Sequence, residues 1–189
     1  MSENGSYVNK TFRLKKEVVD ILEDDPKRQG VSVNAMIQNS INRYVEWDRY
    51  CDSVQMAAFF PNMLDALLEQ ISEEQIDKIA KRIVETSCFK DVNLLIFKRY
   101  DPDVFLSMIS LLDKYGNNYR LQLGQNDDGG RSLSLYHNYG KKWSVFHGMI
   151  LHHELLRLKV PHSFEISDNN VVLHFLGNEK ARKEPSPNG

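Results

Sequence analysis

Asn9, Thr11 and Arg13 alternate with Lys10, Phe12 and Leu14 in one short segment near the start of this chain. In a strand, successive side chains point to opposite faces. Phe12 and Leu14 then face a core, and Asn9, Thr11 and Arg13 share an exposed face. All three can hydrogen-bond to base edges. Arginine suits the O6/N7 edge of guanine, asparagine suits adenine, and threonine can bond to a base or touch a thymine methyl. Taken alone, the segment reads more plainly as an edge strand with a polar outer side. The two helical patterns after it change that balance.

Val18, Val19, Ile21 and Leu22 mark a first helix, which is expected to fade at Glu23-Asp24-Asp25-Pro26. Gly30 allows the backbone to reverse, and Ser32 is placed to cap a second helix. Ala35, Met36, Ile37, Ile41, Tyr44 and Val45 are its apolar positions. One strand and two helices are too little to bury a core of their own, so a second copy of the chain is the expected remedy. Two strands paired across a two-fold axis make a ribbon that fits the major groove. The helix start at Ser32, Val33 and Asn34 offers N–H groups and a positive dipole end to a phosphate, and Lys15 and Lys16 could reach flanking phosphates.

Asn9 to Leu14, the Val18/Val19/Leu22 stripe and Gly30 to Ile37 together resemble the ribbon-helix-helix family of DNA-binding proteins, the MetJ/Arc/CopG superfamily. The resemblance covers roughly residues 7 to 50, about a quarter of the chain. It implies that Asn9, Thr11 and Arg13 contact bases, and that the residues around Ser32 and Asn34 clamp phosphate. Lys10 departs from the pattern, because that inward ribbon position is usually apolar. At a frayed ribbon end its stem can pack while its amine reaches water.

Composition bounds the rest. The chain has 189 residues, 41% of them hydrophobic, and a formal net charge of -2. It is long enough for one or two domains with a real core. Residues 1–50 balance basic and acidic side chains, but Lys10, Arg13, Lys15, Lys16, Lys27 and Arg28 form a local basic group. Such a face implies modest non-specific affinity and strong salt dependence. No apolar run is long enough to span a membrane, and the start lacks a signal-peptide pattern. Cys51 and Cys88 form no metal or redox motif, and a reducing cytoplasm is expected.

Beyond the second helix, Met56 to Pro61 reads as a linker that packs, and Asn62 to Gln70 as a helix. Ser72-Glu73-Glu74-Gln75 has the spacing of a capping box ahead of a helix to about Thr86. From Asp91 strands and helices alternate. Val92–Phe97, Tyr119–Gly124, Ser132–Asn138, Ser163–Ile166 and Val171–Leu176 read as strands, and Pro102–Tyr115 and Lys141–Leu158 as helices. The expected class is α+β: a ribbon-helix-helix unit at 7–50, a helical connector at 51–90, and a ferredoxin-like sandwich, β-α-β-β-α-β-β, at 91–177. The tail, 178–189, reads as disordered. The Lys141–Leu158 helix is apolar nearly all round, so it is either deeply buried or covered by a partner, and a contribution to oligomerisation is expected.

All six histidines fall after residue 130: His137, His147, His152, His153, His162 and His174. Their spacing contains no H-x-x-x-H pair and reads as scattered histidines rather than a metal set. Tyr136 to Ser144 joins a strand to a helix. His137, Lys141, Lys142 and Trp143 there could line an anion or small-ligand pocket, although a glycine turn with core aromatics is the plainer reading. No phosphate loop, nucleophile elbow or zinc spacing is present, so neither an enzyme nor a cofactor is expected. The expectation is a cytoplasmic regulator, dimeric or tetrameric, that binds double-stranded DNA and assembles or senses a small-molecule effector through its later domain. An antitoxin-like protein and an interaction module that uses the fold only to dimerise are the alternatives.

Overall fold

The computed structural model describes residue 8 and residues 10–86, 88–125 and 130–176. It divides into two compact units, Met1–Arg49 and Tyr50–Gly189.

The first unit holds α1 (Lys16–Gln29) and α2 (Val33–Arg43), which continues through a π-helical turn at Tyr44–Asp48; a short α3 (Arg49–Cys51) comes after it. α1 does not fade at Pro26 but runs on to Gln29. A proline near the helix end removes one helical hydrogen bond without ending the helix. The stop is instead Gly30, whose φ of 69° needs the freedom of glycine. Ser32 caps α2, and its Oγ accepts from the Ala35 N–H at 3.1 Å. Val19 and Leu22 are half-buried, whereas Val18 and Ile21 face solvent. Among the described residues of this unit, Trp47 is the only one fully buried.

The second unit holds α4 (Pro61–Leu68), α5 (Glu73–Glu85), α6 (Cys88–Phe97) and α7 (Pro102–Leu111), the last extended by a π-helical turn to Gly116. Next come β1 (Arg120–Gln125), β2 (Arg131–Tyr136), α8 (Lys141–Arg157), β3 (His162–Ile166) and β4 (Asn170–Phe175). The strands form one antiparallel sheet in the order β1-β2-β4-β3. Ser72 and Gln75 complete the capping box of α5 reciprocally, at 2.8 and 3.2 Å. The turn between β1 and β2, at 126–129, lies outside the described residues, as does the tail expected at 178–189.

Two expectations need correction. Val92–Phe97 is not a strand but the body of α6. A short apolar run does not reveal its period, and Asn93 donates to the Phe89 carbonyl one turn back, at 2.7 Å. The described residues therefore give α-α-β-β-α-β-β with four strands, where β-α-β-β-α-β-β with five was expected. Residues 56–60 do not pack: Phe59 and Phe60 are both exposed. Of the two ways to bury α8 that the sequence allows, the structure shows burial within its own unit. Leu151 and Leu155 join Leu133, Leu135, Val171 and Leu173 on the inner face of the sheet. Trp143 and Val145 pack with Leu68 and Ile76, and Ile150 with Ala80 and Val84. The helices expected to be a connector thus help to bury α8.

Close approach of α8 to the sheet depends on Gly148. A Cβ built there would lie 2.8 Å from Ile166 Cδ1 and 3.6 Å from Val171 Cγ1. Gly148→Val should therefore destabilise this unit by about 1–3 kcal/mol through overpacking. Gly148→Ala should cost less, because the Ile166 side-chain end can move. Urea denaturation of both variants tests the order.

Candidate nucleic-acid interface

Residues 10–15 form no helix and pair with no strand among the described residues. All of their side chains are exposed, with Phe12 at 65% and Leu14 at 50%. Thr11, Arg13 and Lys15 are therefore open to solvent, as is Lys16 at the start of α1. Asn9 lies outside the described residues. Val18, Ile21, Val31, Ile41, Tyr44 and Val45 are exposed as well, so the apolar side of this unit stays uncovered in a single chain.

At the start of α2, the Ser32 cap satisfies the Ala35 N–H. The Val33 and Asn34 N–H groups have no carbonyl one turn back to bond, and at a dipole end they suit an anion. Ser32, Val33 and Asn34 thus form a capped helix N-terminus.

The second unit brings together groups that lie far apart in sequence. His137 and Ser144 meet at 2.8 Å (Nε2 to Oγ). The Tyr139 N–H donates to His137 Nδ1, so the ring proton sits on Nε2 and points at Ser144. The Ser144 hydroxyl in turn donates to the Asp168 carbonyl at 3.1 Å. In this tautomer the imidazole cannot take the serine proton. The pair locks the turn ahead of α8 instead, and burial holds the His137 pKa below its ordinary value. Lys141 donates to the Ile166 carbonyl, and Lys142 to the Glu69 and Ile71 carbonyls. Trp143 is buried. A hollow of about 530 Å³ lies beside this turn, lined by Pro61, Asn62, Asp65, Glu69, Asn138, Tyr139 and Gly140. With Asp65 and Glu69 in its wall and both lysines turned onto carbonyls, it does not favour an anion.

No family model, curated protein or solved structure matches this chain.

Two further groups carry unusual electrostatics. Glu154 is fully buried on α8. Its Oε1 accepts from Tyr100 Oη at 2.6 Å and from Arg157 Nη2 at 2.8 Å. Arg157 also donates through Nε to Tyr100 Oη and through Nη1 to the Val84 carbonyl. Burial, helped by the Glu154 charge and hydrogen bond, pushes the Tyr100 phenol up to about 12. Burial acts against the Arg157 charge, but Glu154 and Tyr100 outweigh it and raise its pKa. The network ties α5, α8 and the loop before α7 together. Sequence reading missed it, and only the Glu154/Arg157 spacing of three hinted at it.

The histidines form no group of three or more His, Cys, Asp or Glu side chains able to hold a metal, among the described residues. His147 donates through Nδ1 to the Trp143 carbonyl at 3.1 Å. Packed amid aromatic rings, it has its pKa driven down to about 4 by burial. His153 meets Asp77 at 2.7 Å, and His152 meets His162 at 2.9 Å.

Proposed function

We propose that the chain is a sequence-specific DNA-binding transcriptional regulator acting in the cytoplasm as a homodimer or higher oligomer. Its first unit is of ribbon-helix-helix type. Strands from two copies pair at residues 9–14, and Asn9, Thr11 and Arg13 face the major groove. Lys15, Lys16, Ser32, Val33 and Asn34 hold the flanking phosphates. The second unit assembles dimers or senses an effector.

One observation carries this reading. A unit with two helices and a capped α2 leaves Phe12, Leu14, Ile21 and Tyr44 in solvent and fully buries Trp47 alone among its described residues. A second copy laid along residues 9–14 would cover Phe12 and Leu14 and pair the open backbone there. No helix among the described residues is long and apolar enough to cross a membrane.

Selection of sites from random duplex DNA tests the proposal, run with the wild type and with an Asn9→Ala/Thr11→Ala/Arg13→Ala variant checked for folding. A two-fold or tandem motif recovered by the wild type alone is the expected result. Enrichment of the same motif by both proteins would remove the ribbon from the reading role. Binding to no sequence at any salt concentration would favour an interaction module, and co-purification of a small toxin would favour the antitoxin class. On the selected site, Arg13→Ala should cost about 1–3 kcal/mol and relax base preference. Lys15→Ala should weaken binding to all sequences alike and lower the salt slope by about one.

A further inference from the structure

We propose that His152 and His162 form an acid-released latch between α8 and the edge strand β3. The inference stands on the second unit alone and does not depend on DNA binding.

The protons of this pair are assigned by their partners. His162 Nδ1 lies 2.7 Å from the Val160 carbonyl, which can only accept, so Nδ1 carries a hydrogen. In the neutral ring Nε2 then has a free lone pair. His152 Nδ1, 2.9 Å away, must donate to it. One additional proton on His152 Nε2 leaves this N–H···N bond intact. A second, on His162 Nε2, sets donor against donor and cation against cation at hydrogen-bond distance. The pair accepts one proton and breaks on the next.

The surroundings sharpen the response. From α5, Asp77 reaches His153 at 2.7 Å. His153 lies beside His152 on α8, with ring centroids 5.3 Å apart. From β3 come His162 and the Phe164 ring, 5.1 Å from the His152 ring. Across the strand pair, β4 sets Phe175 opposite His162. Asp77 is thus the acid that meets this histidine group, and its hydrogen bond is to His153. Burial, and the neighbouring His162 and His153, already disfavour charge on His152, while Asp77 opposes them.

On the second proton His152 loses its hold on β3, while α8 stays packed on α5 through Ile150, Ala80 and Val84. Among the described strands β3 is a sheet edge paired with β4, so its start at His162 and Ser163, ahead of Phe164 on the core, is held by strand pairing from one side. Acid should free the first residues of β3 and keep α8 on α5.

Hydrogen exchange on the full chain tests this, with rates corrected for the intrinsic pH dependence, from pH 7.5 down to pH 5. Protection at the Ser163 and Glu165 N–H groups, which face β4, should fall by about tenfold or more, while the middle of α5 and of α8 keeps its protection. The substitution His162→Gln presents a neutral acceptor at every pH, so the acid loss at β3 should vanish. Equal loss across the whole unit, or an unchanged loss at β3 in the His162→Gln protein, would overturn the latch. If that variant fails to fold, imidazole nitrogen NMR of the wild type decides. A neutral His162 protonated on Nδ1 at pH 7.5 that gains its second proton as β3 opens supports the latch. The opposite tautomer rejects it.

Discussion

Arg157→Ala should destabilise the Tyr50–Gly189 unit by about 2–4 kcal/mol, below the full range for breaking a buried pair because the arginine is partly exposed. The cost arises at Glu154. Its side chain is 0% exposed, and Arg157 supplies one of the two donors to Oε1. Glu154 Oε2 already has no hydrogen-bond partner among the described residues. Without the guanidinium, a buried carboxylate would keep only the Tyr100 hydroxyl, and the Val84 carbonyl would lose its donor. The asymmetry is the informative part. A double change, Glu154→Leu with Arg157→Met, removes both charges and keeps apolar volume, so it should cost far less than Arg157→Ala alone. Urea denaturation followed by Trp143 fluorescence, in a Trp47→Phe background, measures both. Equal loss in the two variants would mean that packing, not charge, makes this site sensitive.

Acid should weaken the same unit strongly through His147. An unfolded histidine titrates near 6.5, whereas burial holds folded His147 down to about 4. The fold therefore binds the neutral ring. Its stabilising contribution is complete above pH 6.5 and drains away as the pH falls towards 4. At about 1.36 kcal/mol per pKa unit, the loss from this ring comes to about 3 kcal/mol. His137 and His152 are shifted in the same direction and add to it. A His147→Phe protein cannot titrate there. Its stability should be flatter between pH 6.5 and pH 5, before most carboxylates protonate. An unchanged slope in that window would assign the acid sensitivity to other groups.

These effects were not legible in the chain for a common reason. Their partners are distant: Tyr100 and Glu154 lie 54 residues apart, and Asp77 and His153 lie 76 apart. No local pattern announces such a meeting. The histidines looked scattered because sequence spacing ignores pairs made between α8 and β3 or between α8 and α5. The hollow lies beside His137, Lys141, Lys142 and Trp143 rather than among them, and both lysines donate to carbonyls.

Elements signalled by local chemistry read correctly. Ser32 caps α2, Ser72 and Gln75 make the capping box, and the alternation of β2 and β4 puts Leu133, Leu135, Val171 and Leu173 on one face. These depend on bonds and side-chain directions within a few residues, which the sequence states directly. Val92–Phe97 misled because four consecutive apolar residues, Leu94 to Phe97, carry no period. The all-round apolar α8 was ambiguous for a related reason: sequence shows that a surface must be buried, not what buries it. Only tertiary structure shows α5 and the sheet covering it, because burial is settled by whichever apolar faces the fold brings within reach.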